Sequence, residues 1–335
     1  MPNGSSALNS NVGCVMGSSP GVEAGCRPAS SRFLALYYLE RPLARLTGRV
    51  QLCYNRHRMH GSAPTMDAAK TLCDALENAK HEHLVVVTGA GVSHASGIPT
   101  FRGTDPGAVW SKDVTELGTY RYFLLDPVGS WQWYTSRFDH VLNKQPNAAH
   151  VALAELERWQ QSQGGRFTLV TQNVDPLHER AGSRALIKVH GSADRVRCIK
   201  QNCANGPPFG ALDRSEVDFT AFQANPGCDT LPMCPACGSL LRAHVLWFDE
   251  YYDGHADYRW SEVVAAARGL SLVLFVGTSF AVGVTDLFVQ ALVQREVPAL
   301  AIDPSQRSAP YRGIDMIAEK AEVLLPEVCR RLGAT

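Results

Sequence analysis

The apolar run HLVVV (83–87) passes straight into Thr88-Gly89-Ala90-Gly91-Val92-Ser93, and this junction decides the fold. A short run rich in β-branched residues and closed by glycine reads as a strand buried on both faces. The runs FTLVT (167–171), ALIKV (185–189), LVLFV (272–276) and PALAI (298–302) repeat the theme, each giving way to polar or glycine residues. Between them lie segments with helical spacing: 67–80, which places Ala68, Leu72, Leu76 and Ala79 on one face, then 148–160, 260–269 and 285–295. Asn147, after Pro146, is placed to start the second of these. Strands alternating with helices describe an α/β, doubly wound parallel sheet covered on both sides. In such a sheet ligands sit outside the carboxyl ends of the strands, where glycines let the backbone approach a pyrophosphate. Many strand-to-helix turns need glycine for geometry alone, so Gly89 and Gly91 gain weight only from the residues that come after them.

Two segments break the alternation. Residues 103–145 are rich in Trp and Tyr, and residues 197–240 hold paired cysteines with Gly and Pro. Both read as insertions that build a smaller domain. Cys198-x4-Cys203 and Cys234-x2-Cys237, about thirty residues apart, suit a tetrahedral structural zinc held by four thiolates with no open position. Cys228 competes as a ligand, and free thiols throughout are the alternative.

Composition bounds the rest. Of 335 residues, 45% are hydrophobic and 19% charged, with Lys+Arg and Asp+Glu equal at 32 each, so nothing favours a nucleic-acid or anionic-membrane partner. No apolar run is long enough to span a membrane. Residues 1–65 stand apart, with seven Arg, no Lys, eight Ser and only Glu23 and Glu40 as acids. That is the composition of a mitochondrial transit peptide, with a disordered extension or a start at Met59 or Met66 as the plainer reading. The expected compartment is the mitochondrion or the cytoplasm.

After Ser93 the chain continues as His94-Ala95-Ser96-Gly97-Ile98-Pro99-Thr100-Phe101-Arg102-Gly103. The whole stretch, GAGVSHASGIPTFRG, resembles the signature of the sirtuins, the NAD-dependent protein deacylases. TQNVDPLHERAG (171–182), Val189-His190-Gly191, LRAHVLWFDE (241–250) and VGTS (276–279) resemble further family motifs in family order. The likeness spans about 67–330 and implies a catalytic domain over 66–335. Its large Rossmann-like part would take about 66–102, 146–196 and 241–335. Its small zinc-ribbon and helical part would take about 103–145 and 197–240.

The resemblance implies an NAD-binding set of Gly89, Ala90, Gly91, Ser93, Ile98, Thr100, Phe101, Arg102, Gln172, Asn173, Asp175, Gly277, Thr278, Ser279, Asp303 and Ala321, with Ile98, Asn173 and Asp175 holding the nicotinamide. It implies that His190 is the general base, taking a ribose proton after the acyl oxygen has attacked the anomeric carbon. Free lysine, nicotinamide and an O-acyl-ADP-ribose would be the products. An ordinary imidazole pKa of about 6.5 suits that task. A core histidine, and turn-capping roles for Asn173 and Asp175, are the plainer readings. His94, His150, His178 and His244 are read as structural.

For the acyl group, Tyr134 and Arg137 stand three apart, on one face if helical. An Arg fork binds a carboxylate bidentately and a tyrosine hydroxyl adds a bond. This Tyr-x-x-Arg pair is similar to the subgroup that removes malonyl, succinyl and glutaryl groups, and Thr100 points the same way. A packed Tyr with a solvated Arg is the alternative. Val245, Trp247 and Phe248 are expected to line the lysine tunnel. Pro176, Asp249, Asp303 and the wider first cysteine spacing depart from the commoner family pattern. Acylated-lysine proteins are the expected partners. A mono-ADP-ribosyltransferase and an NAD-binding zinc module with little turnover are the rival functions. A dehydrogenase is disfavoured because the third glycine of GxGxxG is missing.

Overall fold

The computed structural model describes residues 67–100, 112–281, 283–305 and 311–334. Its strands are β1 (His83–Thr88), β2 (Arg166–Thr171), β3 (Leu186–Lys188), β4 (Gly191–Cys198), β5 (Leu212–Asp213), β6 (Leu241–Val245), β7 (Leu272–Val276), β8 (Ala299–Ile302) and β9 (Asp315–Ile317). Its α-helices are α1 (Ala68–Asn78), α2 (Lys112–Leu117), α3 (Tyr120–Leu125), α4 (Pro127–Leu142), α5 (Ala148–Ser162), α6 (Leu177–Arg180), α7 (Thr220–Ala224), α8 (Trp260–Gly269), α9 (Gly283–Arg295) and α10 (Ala321–Leu332).

Six strands form a parallel sheet in the order β3-β2-β1-β7-β8-β9. All five expected strands are in it. Alternation along β1 explains its double burial: Leu84 and Val86 face one core with α1, α5 and α10, while Val85 and Val87 face another with α8 and α9. Each fully buried Leu or Val here contributes roughly 1.5–3 kcal/mol. The first helix starts where Asp67 accepts the Lys70 amide (3.1 Å) and buries Leu72 and Leu76. Asn147 caps α5 by accepting from the Ala149 amide, and His150 closes the box from the other side.

The strand order reverses between β1 and β7, so the switch point lies at their carboxyl ends. There the Gly89–Gly91 turn packs backbone to backbone on Gly277. The Gly89 amide donates to Val276 (3.0 Å) and the Gly91 amide to Gly277 (2.9 Å). A Cβ on Gly277 would stand 2.4 Å from the Val92 nitrogen, and its φ of +59° already favours glycine.

A second, three-stranded sheet, β5-β4-β6, is antiparallel. It builds a third core with α3, α4 and α7, including Phe123, Trp131, Phe138, Phe219 and Phe222. Asp126 caps α4 by accepting from Gly129 (2.8 Å), with Pro127 in its first turn. Trp131 ties that helix to the sheet by donating its indole N–H to the Leu241 carbonyl (2.9 Å). Among the described residues no helix is long and apolar enough to cross a membrane.

Gly277→Ala is expected to lower stability by about 2 kcal/mol or more, read as a lower denaturant midpoint. An unchanged midpoint would mean that the two loops do not meet.

Candidate active site

The site grows from the carboxyl ends of β1, β2, β3 and β7. Gln172, just past β2, joins them. Its side-chain amide donates to the Thr88 carbonyl (3.1 Å) and to the Thr278 hydroxyl (3.1 Å), and its own backbone N–H donates to Thr88 (3.0 Å). Its carbonyl is reached by His190 Nδ1 at 2.9 Å. His190 follows β3 and precedes β4, where the chain crosses from the large sheet to the small one. Gly191 makes the crossing possible: its φ is +80°, and a Cβ there would sit 2.2 Å from the His244 carbonyl.

A donor is required at Nδ1 to satisfy the Gln172 carbonyl, so the proton of the neutral ring sits there. Nε2 keeps its lone pair, 3.3 Å from the Tyr252 hydroxyl. Desolvation holds this half-buried imidazole down at about 4, below the ordinary value expected from the sequence, against the weaker opposing pull of the Gln172 carbonyl. It is therefore neutral at neutral pH and a weaker base than a free imidazole.

Behind the glycine turn lies a buried polar cluster. The Ser93 hydroxyl donates to the Asp175 carboxylate (2.9 Å) and accepts from the Asn173 amide (3.1 Å), which also reaches the Gly89 carbonyl (3.2 Å). Asp175 further accepts from the Leu177 amide (3.1 Å), starting α6, and burial raises its pKa. His150 reaches Ser93 (3.4 Å), and His178 bonds Thr88, which donates to Thr171. Expected site residues and expected structural histidines thus share one network.

The remaining expected positions lie on several elements. Ala90, Ile98, Thr100 and Gly277 are half-buried, Thr278 is buried and Ser279 exposed. Asp303, after β8, accepts from the Ser305 amide and hydroxyl. Ala321 opens α10 with its methyl in the first core. Phe101 and Arg102 lie outside the described residues.

Tyr134 and Arg137 lie one turn apart on α4 and within electrostatic reach of each other. Tyr134 is buried against Trp247, ring centroids 6.1 Å apart, and burial pushes its phenol far up. Arg137 is half-buried, with its guanidinium 4.1 Å from the Trp133 ring centroid. No carboxylate pairs with it among the described residues.

Trp247 is buried and Phe248 half-exposed; Val245 ends β6. Trp247 stays in place because Arg242 lies 3.2 Å from its ring centroid, while Glu250 accepts its backbone N–H (3.0 Å). Glu250 in turn accepts from Arg242 (2.9 Å) and Arg197 (3.0 Å). Burial pushes the Glu250 carboxyl up, but the two guanidiniums win and hold it below its ordinary range. Sequence reading missed Arg197, Arg242 and Tyr252. Arg197 and Tyr252 meet partners far along the chain, whereas Arg242 and its partner Glu250 both stand in LRAHVLWFDE, whose spacing alone does not announce an ion pair.

The four cysteines meet as expected. Cys198 lies 3.5 Å from Cys237, and Cys203 lies 3.7 Å from Cys234 and 3.5 Å from Cys237, sulfur to sulfur. Tetrahedral zinc with bonds of about 2.3 Å needs sulfurs about 3.8 Å apart, so the donor set fits. The Lys200 amide points at Cys198 (3.3 Å), which favours a thiolate. Cys228 stands outside the cluster, in a short 3-10 turn. His244, His255 and Asp257 also converge. There, however, Arg195 holds Asp257 (3.1 Å) and His255 Nδ1 accepts the Asp257 amide (3.1 Å), which suits a hydrogen-bonded clasp better than a cation.

Comparisons with known proteins show what the chain is similar to. The Sir2 family model matches residues 89–284. The chain is 38% identical over 232 residues to the zebrafish (Danio rerio) NAD-dependent protein deacylase sirtuin-5, mitochondrial, covering 66% of this chain and 73% of that protein. It is 40% identical over 229 residues to NAD-dependent protein deacylase 1 of Archaeoglobus fulgidus, covering 68% and 84%. A Sir2 homologue–NAD complex superposes with a TM-score of 0.64 at 35% identity, over 83% of this chain and 98% of that one. A mutant Sir2 homologue bound to ADP-ribose gives 0.64 at 35%, over 79% and 96%.

Two outcomes are expected from the charges and donors. Elemental analysis should find about one zinc per chain, and Cys234→Ser should lose it and melt earlier; full zinc in that variant would contradict the ligand set. Burial also holds His83, His150 and His244 near 4, as it does His190. The unfolded chain therefore takes up protons that the folded one refuses between about pH 6.5 and 4, and stability should fall as pH falls through that window. A urea midpoint that stays flat from pH 7 to 5 would overturn the assignment of neutral buried histidines.

Proposed function

This chain belongs to the Sir2 family, and on that premise we propose that it is an NAD-dependent protein-lysine deacylase favouring succinyl, malonyl and glutaryl groups. The observation that carries the reading is His190 at the sheet crossing, its Nδ1 spent on Gln172 and its Nε2 left as the acceptor. A module that only bound NAD would need no base held this way.

Each part of the site has a task in this reading. Gly89, Gly91 and Gly277 let the two loops meet backbone to backbone at the switch point, where a pyrophosphate would be bound. Gln172, Thr278, Ser279, Asp303 and the remaining crevice residues contact the rest of the dinucleotide. Ser93, Asn173 and Asp175 form a buried, pre-bonded surface for the nicotinamide amide. Fixed dipoles there assist loss of nicotinamide, because positive charge develops on the ribose as that bond breaks. The acyl oxygen of the substrate attacks the anomeric carbon as nicotinamide leaves, and His190 takes the ribose hydroxyl proton at Nε2. That hydroxyl then attacks the acyl carbon, and addition of water lets the amine leave as free lysine with the acyl group retained on ADP-ribose. Val245, Trp247 and Phe248 guide the lysine stem.

Arg137 supports the acidic-acyl preference. It is a half-buried guanidinium without a protein carboxylate among the described residues, one turn from Tyr134. A dicarboxylic acyl group would supply the missing anion. The zinc cluster closes on itself and is structural. The catalytic unit runs over about 66–335, with the large part carrying the crevice and the small part, around 103–145 and 197–240, carrying the metal and the acyl-side helix. Acylated-lysine proteins are the partners. The Arg- and Ser-rich first 65 residues and the mitochondrial relatives favour the mitochondrion.

The test is a panel of succinyl-, malonyl-, glutaryl- and acetyl-lysine peptides with NAD, read by peptide mass. His190→Tyr should abolish all turnover. Arg137→Met should cut succinyl removal by about tenfold or more, the worth of one charge-assisted pair, and spare acetyl removal. Equal loss on both peptides would remove the carboxylate clamp, and an active His190→Tyr would remove the base.

A further inference from the structure

The segment after Glu250 places Tyr252 beside His190, with a task that no motif assigns. Tyr252 puts its hydroxyl 3.3 Å from His190 Nε2. The two rings are nearly parallel, 25° apart, with centroids at 5.8 Å. Tyr252 also stacks on Trp260, with centroids 4.3 Å apart and rings 15° from parallel. Trp260 opens α8, whose buried face (Val263, Ala266, Ala267) is seated on the large sheet. A rigid helix thus holds an indole, the indole holds a phenol, and the phenol meets the imidazole.

We propose that Tyr252 is a positioning residue for His190: stacked on Trp260, it donates its hydroxyl to Nε2 and fixes the ring plane of the base before the cosubstrate arrives. The inference rests on the reading of His190 as the base. Two bonds at opposite ring nitrogens define the imidazole completely. The Gln172 carbonyl takes the Nδ1 proton and Tyr252 supplies one to Nε2. The other tautomer would set acceptor against acceptor at the Gln172 carbonyl, so Nδ1 carries the proton and the Tyr252 hydroxyl, which can donate or accept, donates to the bare Nε2.

The surrounding charges agree with a donating phenol. Burial raises the Tyr252 pKa, with Asp286 pushing the same way and the Val284 amide pulling back, so the hydroxyl keeps its proton at neutral pH. Burial and the Gln172 carbonyl are what act on His190, and no charged side chain among the described residues enters. A hydrogen bond donated to the lone pair favours the neutral imidazole. On binding, the ribose hydroxyl replaces the phenol at Nε2, so the base meets its substrate already aimed and already neutral.

Tyr252→Phe keeps the stack and removes the donor. In the ligand-free protein, an NMR titration of the His190 ring should move upward by about half a pH unit or more, since the neutral form loses a bond. The acid limb of kcat/KM should move the same way. In deacylation, kcat should fall about three- to tenfold, with KM for NAD and peptide within about twofold. Tyr252→Leu, which removes the stack as well, should lower kcat further at an unchanged fold, checked by its melting profile. An unmoved His190 titration and an unmoved acid limb in a folded Tyr252→Phe protein would overturn the inference. Because the titration needs no turnover, it separates this inference from the base reading, which fails if a His190 variant stays active.

Discussion

Gln172 is where the architecture becomes a site. The carboxyl ends of parallel strands leave backbone groups without ladder partners, and a buried crevice cannot leave them bare. This one residue spends its side-chain amide on the ends of β1 and β7 and its carbonyl on His190. The glycine contact between the first turn and Gly277 sets how closely those ends approach. Together they fix one imidazole against two loops that belong to opposite halves of a sheet. The position of that imidazole thus comes from backbone geometry at the switch point, and the proposed chemistry depends on it.

Around that point the protein buries polar groups in two distinct ways. Beneath the glycine turn, Ser93, Asn173 and Asp175 bond one another, with neutral His150 3.4 Å from Ser93, neutral His178 on Thr88, and Lys188 donating to the Asp175 carbonyl (2.8 Å). Next to the acyl side, charge is buried outright: Glu250 serves Arg197 and Arg242, and Arg242 lies over Trp247. Removing one partner of such a group leaves an uncompensated charge, so its members stand or fall together. That rigidity carries from β4 and β6 to Trp247 and Tyr134, and so to the wall beside Arg137. The zinc cluster braces the other end of the same strands, since Cys198 closes β4.

Much of this is legible in the sequence. Double burial writes itself as short apolar runs, so β1, β2, β7 and β8 can be read directly, and paired cysteines announce their own geometry. The misses have physical causes. β9 is three residues long with one buried side chain, and α10 carries Pro326, which masks its helical pattern. Asp249 reads in the sequence as a mere departure; it accepts the amides of Tyr120 (2.7 Å) and Arg121 (3.0 Å), clipping the 247–250 loop to the start of α3. Nothing near residue 249 in sequence points to a partner so far along the chain. Tyr252 is invisible for the same reason: its role is created by Trp260 and His190 meeting in space.

The central claim is that this crevice moves an acyl group from lysine onto the ribose that nicotinamide leaves. The direct measurement is the product balance from NAD and a succinyl-lysine peptide, with nicotinamide, free peptide and acylated ADP-ribose quantified together. The account predicts equal amounts of all three, with nicotinamide release dependent on the peptide. Nicotinamide released while ADP-ribose accumulates on protein, with the peptide still acylated, would contradict it.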